Sequence, residues 1–84
     1  MKHIEYQPSG VCSRKISFDL TDDLLITNLV FTGGCSGNLR AISKLLEGTK
    51  AVDAIRILKG NTCGPRQTSC ADQLTKALEQ ALAE

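Results

Sequence analysis

Four cysteines are the residues of this chain best suited to chemistry: Cys12, Cys35, Cys63 and Cys70. Each stands beside small or turn-forming residues and outside the apolar stripes of the sequence. Cysteines that only pack behave as small hydrophobes inside elements, whereas ligating cysteines favour loops and the ends of elements. Four thiolates complete a closed tetrahedral site. The sequence therefore predicts that these four cysteines bind one metal ion, most simply a structural zinc.

The spacing leaves other interpretations of the cysteines open. There is no C-x-x-C pair, and only Cys63 and Cys70 are close, with six residues between them. An iron–sulfur cluster is a second interpretation, since it also takes thiolates. Thiols that serve only in packing are a third, and a redox pair formed by Cys63 and Cys70 is a fourth.

Two further features could carry chemistry. The run Gly33-Gly34-Cys35-Ser36-Gly37-Asn38 follows an apolar strand pattern, which is compatible with a phosphate-cradling loop. It lacks the lysine and the glycine spacing of a P-loop, so a turn around a thiolate explains it equally well. His3 is the one histidine, and its position near the terminus indicates a solvated surface residue.

Bulk composition restricts the functions open to the chain. With 84 residues we expect a single domain, residues 1–84, small enough to need a metal or another cross-link for stability. A net charge of +1 without a basic run argues against nucleic-acid binding. No apolar run is long enough for a membrane span, and the first residues lack a signal-peptide core. We therefore expect a cytoplasmic protein with reduced thiols.

Strand patterns occupy the first half of the chain. Lys15 to Leu20 alternates apolar and polar residues, which predicts a half-buried strand. After a turn at residues 21–23, Leu24 to Thr32 is rich in β-branched residues and predicts a second strand. The two should pair as an antiparallel hairpin that is broken by Gly33-Gly34. Ile4 to Tyr6 indicates a short additional extended segment.

Helical periodicity follows. One apolar stripe consists of Leu39, Ile42, Leu45 and Leu46, ahead of a C-terminal Gly48. A second helix is predicted from Ala51 to Leu58. Ser69 is the predicted N-cap of a last helix with Asp72 in its first turn. The predicted fold class is α+β, a small antiparallel sheet of two or three strands with about three helices packed on one face.

This arrangement should bring the cysteines together. The hairpin returns the chain, so Cys12, before one strand, and Cys35, after its partner, reach the same edge. Cys70 opens the last helix, where the helix N-terminus favours an anion such as a thiolate. We expect all four sulfurs, that of Cys63 included, to lie close together at that edge.

The stretch Thr68-Ser69-Cys70-Ala71-Asp72-Gln73-Leu74, together with the other three cysteines, resembles the TSCPD domain, in its small stand-alone four-cysteine form. The resemblance covers nearly the whole chain, with Ala71 in place of the family's proline. It implies metal binding by the four cysteines. It also implies a relation to the C-terminal domain of ribonucleoside-diphosphate reductases, although a chain this short could serve that enzyme only as an accessory.

A more distant resemblance is to the U-type iron–sulfur cluster scaffold proteins, from Asn28 to Leu82. Their conserved acid has no match here, because Gly37 stands in its place, and Cys12 is an added cysteine. The predicted function is a metal-binding module that acts through a protein partner and is not an enzyme on its own. The sequence does not indicate an oligomeric state.

Overall fold

The computed structural model of this chain describes residues 1–11, 13–33, 36–61 and 68–83, with only the backbone of Ser36. Three strands precede three helices. The strands are β1 (Lys2–Tyr6), β2 (Ser13–Leu20) and β3 (Ile26–Gly33), and the helices are α1 (Ser36–Leu46), α2 (Ala51–Leu58) and α3 (Cys70–Ala83). The α+β prediction is confirmed.

The strands form one antiparallel sheet in the order β1-β2-β3. Alternation in β2 decides which face is covered, because successive strand side chains point to opposite faces. Ile16, Phe18 and Leu20 are at most 2% exposed, and burial of side chains of this size is worth roughly 2 kcal/mol each. Ile4 and Tyr6 of β1 pack against the same core. The short segment at the N-terminus is thus a full third strand.

The predicted start of β3 is wrong by two residues. Leu24 has a left-handed φ of 64°, and its N–H donates to the carbonyl of Thr21 at 2.8 Å. Leu24 therefore belongs to the turn, and β3 begins at Ile26. At the other end, β3 extends one residue beyond the predicted Thr32 and includes Gly33. This glycine is the last residue of β3 and pairs with Ser13.

The helices pack on the inner face of the sheet, as predicted. Leu74, Ala77 and Leu78 of α3 are fully buried against the strands, and α2 packs on α3 through Ala51 and Ala54. No helix in the described part of the chain is long and apolar enough to cross a membrane.

Helix α1 packs along β3. The apolar stripe predicted for this helix is wrong at one residue. Leu39 is buried and Leu46 packs against the core, but Leu45 is 79% exposed. Residues 39 and 46 are two turns apart and share a face, whereas residue 45 lies about 100° from residue 46. Gly48 takes a φ of 79° just beyond the helix, which confirms it as the C-terminal glycine.

Candidate functional site

Helix α3 begins at Cys70, and Ser69 caps it. The N–H of Asp72 donates to Ser69 Oγ at 3.1 Å, which satisfies one of the amides that a helix start leaves without a partner. The Ser69 hydroxyl in turn donates to the carbonyl of Asn61 at 2.5 Å. The cap therefore also ties the chain after α2 to the start of α3. The predicted N-cap is confirmed.

Asp72 is a buried carboxylate rather than a solvated first-turn charge. Its exposed fraction is 7%. The Thr68 hydroxyl donates to Oδ2 at 2.5 Å, and the Gly60 N–H donates to Oδ1 at 2.7 Å. These two donors, the hydroxyl first, hold the pKa of Asp72 below its ordinary value, and Lys76 and Lys59 act in the same direction.

Gln73 attaches the loop after β1 to the same helix start. Its Oε1 accepts the N–H of Ser9 at 3.1 Å, and its Nε2 donates to Thr68 Oγ1 at 3.1 Å. Gly10 has a φ of 73°, and a Cβ there would lie 3.3 Å from the Thr68 methyl group. The chain just before Cys12 is thus held against residues just before Cys70.

Ser13 connects β2 to Cys70. Its hydroxyl donates to Cys70 Sγ at 3.2 Å, within reach of a hydrogen bond to sulfur. Ser13 is 3% exposed, whereas Cys70 is only partly buried. Cys70 is thus partly exposed at the start of α3, and its sulfur has a hydrogen-bond donor in the Ser13 hydroxyl.

Strand pairing and capping bring the neighbours of all four cysteines to one corner. Ser13 follows Cys12 in the chain, and it pairs with Gly33, which lies two residues before Cys35. Asn61, two residues before Cys63, is bonded to Ser69, next to Cys70. We call this region the Cys70 corner and define it as Ser13, Gly33, Asn61 and residues 68–73.

Of the four predicted ligands, the structure describes Cys70. Cys12, Cys35 and Cys63 lie outside the described residues, so their convergence stays a prediction, as does a phosphate loop at residues 33–38. Among the described residues there is no group of three or more His, Cys, Asp and Glu side chains that could hold a metal ion.

The cationic side chains near the cysteines differ in their surroundings. A Cβ at Gly33 would lie 3.2 Å from Arg14 Nε, so this guanidinium lies over the end of β3. Lys15 and Lys59 are paired with Glu5 and Glu79, at 3.9 Å and 2.9 Å. Arg14 is thus a cation that lies beside the last residue of β3.

A second polar cluster lies on the outer face of the sheet. We call it the His3 cluster: His3, Glu5, Asp19 and Asn28. Nδ1 of His3 lies 2.6 Å from Asp19 and Nε2 lies 3.3 Å from Glu5. The hydrogen bonds with Asp19 and then Glu5 raise the pKa of His3. Those from Asn28 and then His3 lower the pKa of Asp19. The predicted solvated histidine is 60% exposed, but it is hydrogen-bonded.

Sequence reasoning missed several members of the corner. Ser13, Thr68 and Gln73 were not predicted to act together, although two of them flank cysteines or the cap in the chain. The signal was the density of short polar residues around Cys70, since four of residues 68–73 carry hydrogen-bonding side chains besides the thiol.

Comparison with known families gives one match. The model of the TSCPD domain matches residues 2–82. No curated protein matches the chain, and no solved structure does.

Proposed function

The chain belongs to the TSCPD domain family, and from this premise we propose that it is a small metal-binding module. In this proposal Cys12, Cys35, Cys63 and Cys70 hold one structural zinc ion, and the module acts through a protein partner. Family membership is consistent with a small domain related to the C-terminus of ribonucleotide reductases.

One observation carries the proposal: described neighbours of every cysteine meet at the Cys70 corner. Ser13 bonds to Cys70 and pairs with Gly33, and Asn61 is bonded to the cap of α3. A chain extends by at most about 3.6 Å per residue. Cysteines one or two residues from these anchors are therefore within reach of a common ion.

The donor set also fits a metal. Four thiolates with a divalent cation leave a net charge of −2, and the Ser13 hydroxyl, the start of α3 and the Arg14 guanidinium are placed to offset it. Catalytic zinc requires an open position for water, and four protein ligands leave none. The ion in this proposal is therefore structural, and chelation should cost folding free energy.

Elemental analysis of protein purified without added metal tests the proposal. We expect about one zinc per chain, four thiols that resist alkylation until a strong chelator is added, and a lower melting temperature after chelation. Each cysteine-to-serine variant should lose most of the zinc. Ser43→Ala is the control, since Ser43 lies in the second half of α1 and its hydroxyl donates to the carbonyl of Leu39 in the same helix. No metal and an unchanged melting curve with chelator would refute the proposal.

The same preparation separates zinc from an iron–sulfur cluster. A cluster colours the protein brown and gives iron and sulfide in analysis, whereas zinc leaves it colourless. If iron and sulfide are found at the four cysteines, the protein is an iron–sulfur cluster carrier and not a zinc module. The four proposed ligands stay the same.

A thiol redox accessory of ribonucleotide reduction is the second candidate. Cys70 favours it, because this residue is partly exposed and its sulfur has a hydroxyl donor. Cys63 and Cys70 would reduce a disulfide of the partner, giving up two electrons and two protons as their own disulfide forms. This requires metal-free protein that stays well folded, and mass spectrometry after mild oxidation should show a Cys63–Cys70 bridge.

A further inference from the structure

The two edge strands of the sheet, β1 and β3, differ in what lies beside their outer backbone groups. At the β3 edge, Ile26 donates to the carbonyl of Thr49 at 2.8 Å and accepts the N–H of Gly48 at 2.7 Å. The N–H of Asn28 donates to the Glu47 carboxylate at 3.0 Å. Residues after α1 therefore occupy backbone groups of Ile26 and Asn28 in the first half of this edge. Such cover prevents a strand edge from pairing with another chain.

Strand β1 forms the other edge. In the described part of the chain its strand partner is β2 alone. Alternate residues of an edge strand direct N–H and C=O groups outward, which makes the strand a template for a further strand. Beside it lies a groove of about 250 Å³, lined by β1 and by Ala77, Gln80 and Ala81 of α3. Ala77 and Ala81, both at most 5% exposed, form part of its lining, and Lys2 Nζ donates to the carbonyl of Ala81 at 3.2 Å across it.

The sequence of β1 complements itself. If a second copy of Lys2–Tyr6 pairs antiparallel about Ile4, Ile4 faces Ile4, and His3 of each copy faces Glu5 of the other. These opposite charges lie on the outer face, where His3 and Glu5 are 60% and 56% exposed. Opposite charges directly across an antiparallel pair are favourable, and like charges are unfavourable.

We propose that β1 is a homodimer interface, in which two copies pair about a two-fold axis at Ile4 to give one six-stranded sheet. Such an interface is isologous, so each favourable contact occurs twice. On the inner face the partly buried Ile4 side chains of the two copies meet at the axis, next to the groove. The axis puts the two Cys70 corners at opposite ends of the joined sheet, so pairing covers neither. The dimer is independent of metal binding.

Charge variants of the full chain test this interface by sedimentation across a concentration series at pH 6. His3→Glu places carboxylates opposite each other at two positions, and Glu5→Lys does the same with cations. We expect each variant to dimerise about tenfold more weakly than the wild type. Val30→Glu is the control. It adds a carboxylate to the outer face at β3, where Val30 is 53% exposed, and should leave the dimer unchanged.

Mixing the two variants is the decisive step. A heterodimer of His3→Glu with Glu5→Lys restores opposite charges at both positions, so the mixture should recover the wild-type dimer fraction. An effect confined to one chain cannot produce that recovery. A wild-type chain that stays monomeric at every concentration, or a mixture no more dimeric than its components, overturns the proposal. Circular dichroism of each variant confirms folding.

Discussion

Two polar clusters of this protein each contain a hydrogen-bonded carboxylate, Asp72 and Asp19. Their different surroundings make the two carboxylates contribute differently to stability. At the Cys70 corner, Asp72 is 7% exposed and accepts from a hydroxyl and a backbone amide. In the His3 cluster, Asp19 lies on the outer face of the sheet and accepts from Asn28 beside His3. Both pKa values are lowered. Burial makes the first arrangement structural, whereas solvent reaches the second, in which the His3 side chain is 60% exposed and that of Asp19 18%.

The largest effect should come from removing the buried carboxylate. We expect Asp72→Ala to lower the free energy of unfolding by about 3 kcal/mol, because it leaves the Gly60 N–H and the Thr68 hydroxyl without their acceptor. Urea titration measures this. Asp19→Ala is the matched control and should have a much smaller effect. Equal losses in the two variants would show that burial does not distinguish the clusters.

The N-cap comes next. Ser69→Ala removes the acceptor for the Asp72 N–H and the bond to Asn61, so we expect a loss of about 1–2 kcal/mol by the same titration. Ser43→Ala changes a serine that bonds within α1, and it should change the stability by less than about 0.5 kcal/mol. A silent Ser69→Ala would contradict the assigned cap.

Gln73 should have a more local effect. In Gln73→Ala the N–H of Ser9 loses its acceptor, and we expect about 1 kcal/mol lower stability with faster hydrogen exchange at Ser9. Gln80→Ala, on the exposed side of the same helix, should leave that exchange rate unchanged. Unchanged exchange in the Gln73 variant would show that this amide does not hold the loop.

The smallest effect is the pH dependence of the His3 cluster. The pKa of His3 is raised in the fold, so its contribution is complete below 6.5, the value of the free side chain, and is lost as pH rises through the raised pKa. The stability gap between wild type and His3→Gln should therefore narrow from pH 6 to pH 8, and narrow further in high salt. Melting curves of both proteins measure it. A gap that widens with pH would reverse the assigned sign.

Local sequence patterns correctly predicted those helices and strands that are determined by residues close together in the chain. Alternation identified β2, and the cap and apolar spacing identified α3, because these signals depend on neighbours in the chain. The errors lie where another element intervenes. Leu24 continues an apolar strand pattern, but its hydrogen bond to Thr21 holds its backbone in the turn conformation. Leu45 fits an apolar repeat, but the direction from which β3 meets α1 leaves it outside.

The sequence alone determined the fold class, the family-like motif around Cys70, and the cysteine side chains that could bind a metal. Tertiary structure decided which polar residues serve that motif. Ser13 and Cys70, 57 positions apart, meet at 3.2 Å, and Ser9 meets Gln73 across 64 positions. Chain separation this long carries no local pattern, because the contacts depend on how the sheet and α3 pack. Burial likewise comes from packing, and it makes Asp72 a structural residue and leaves Asp19 partly exposed.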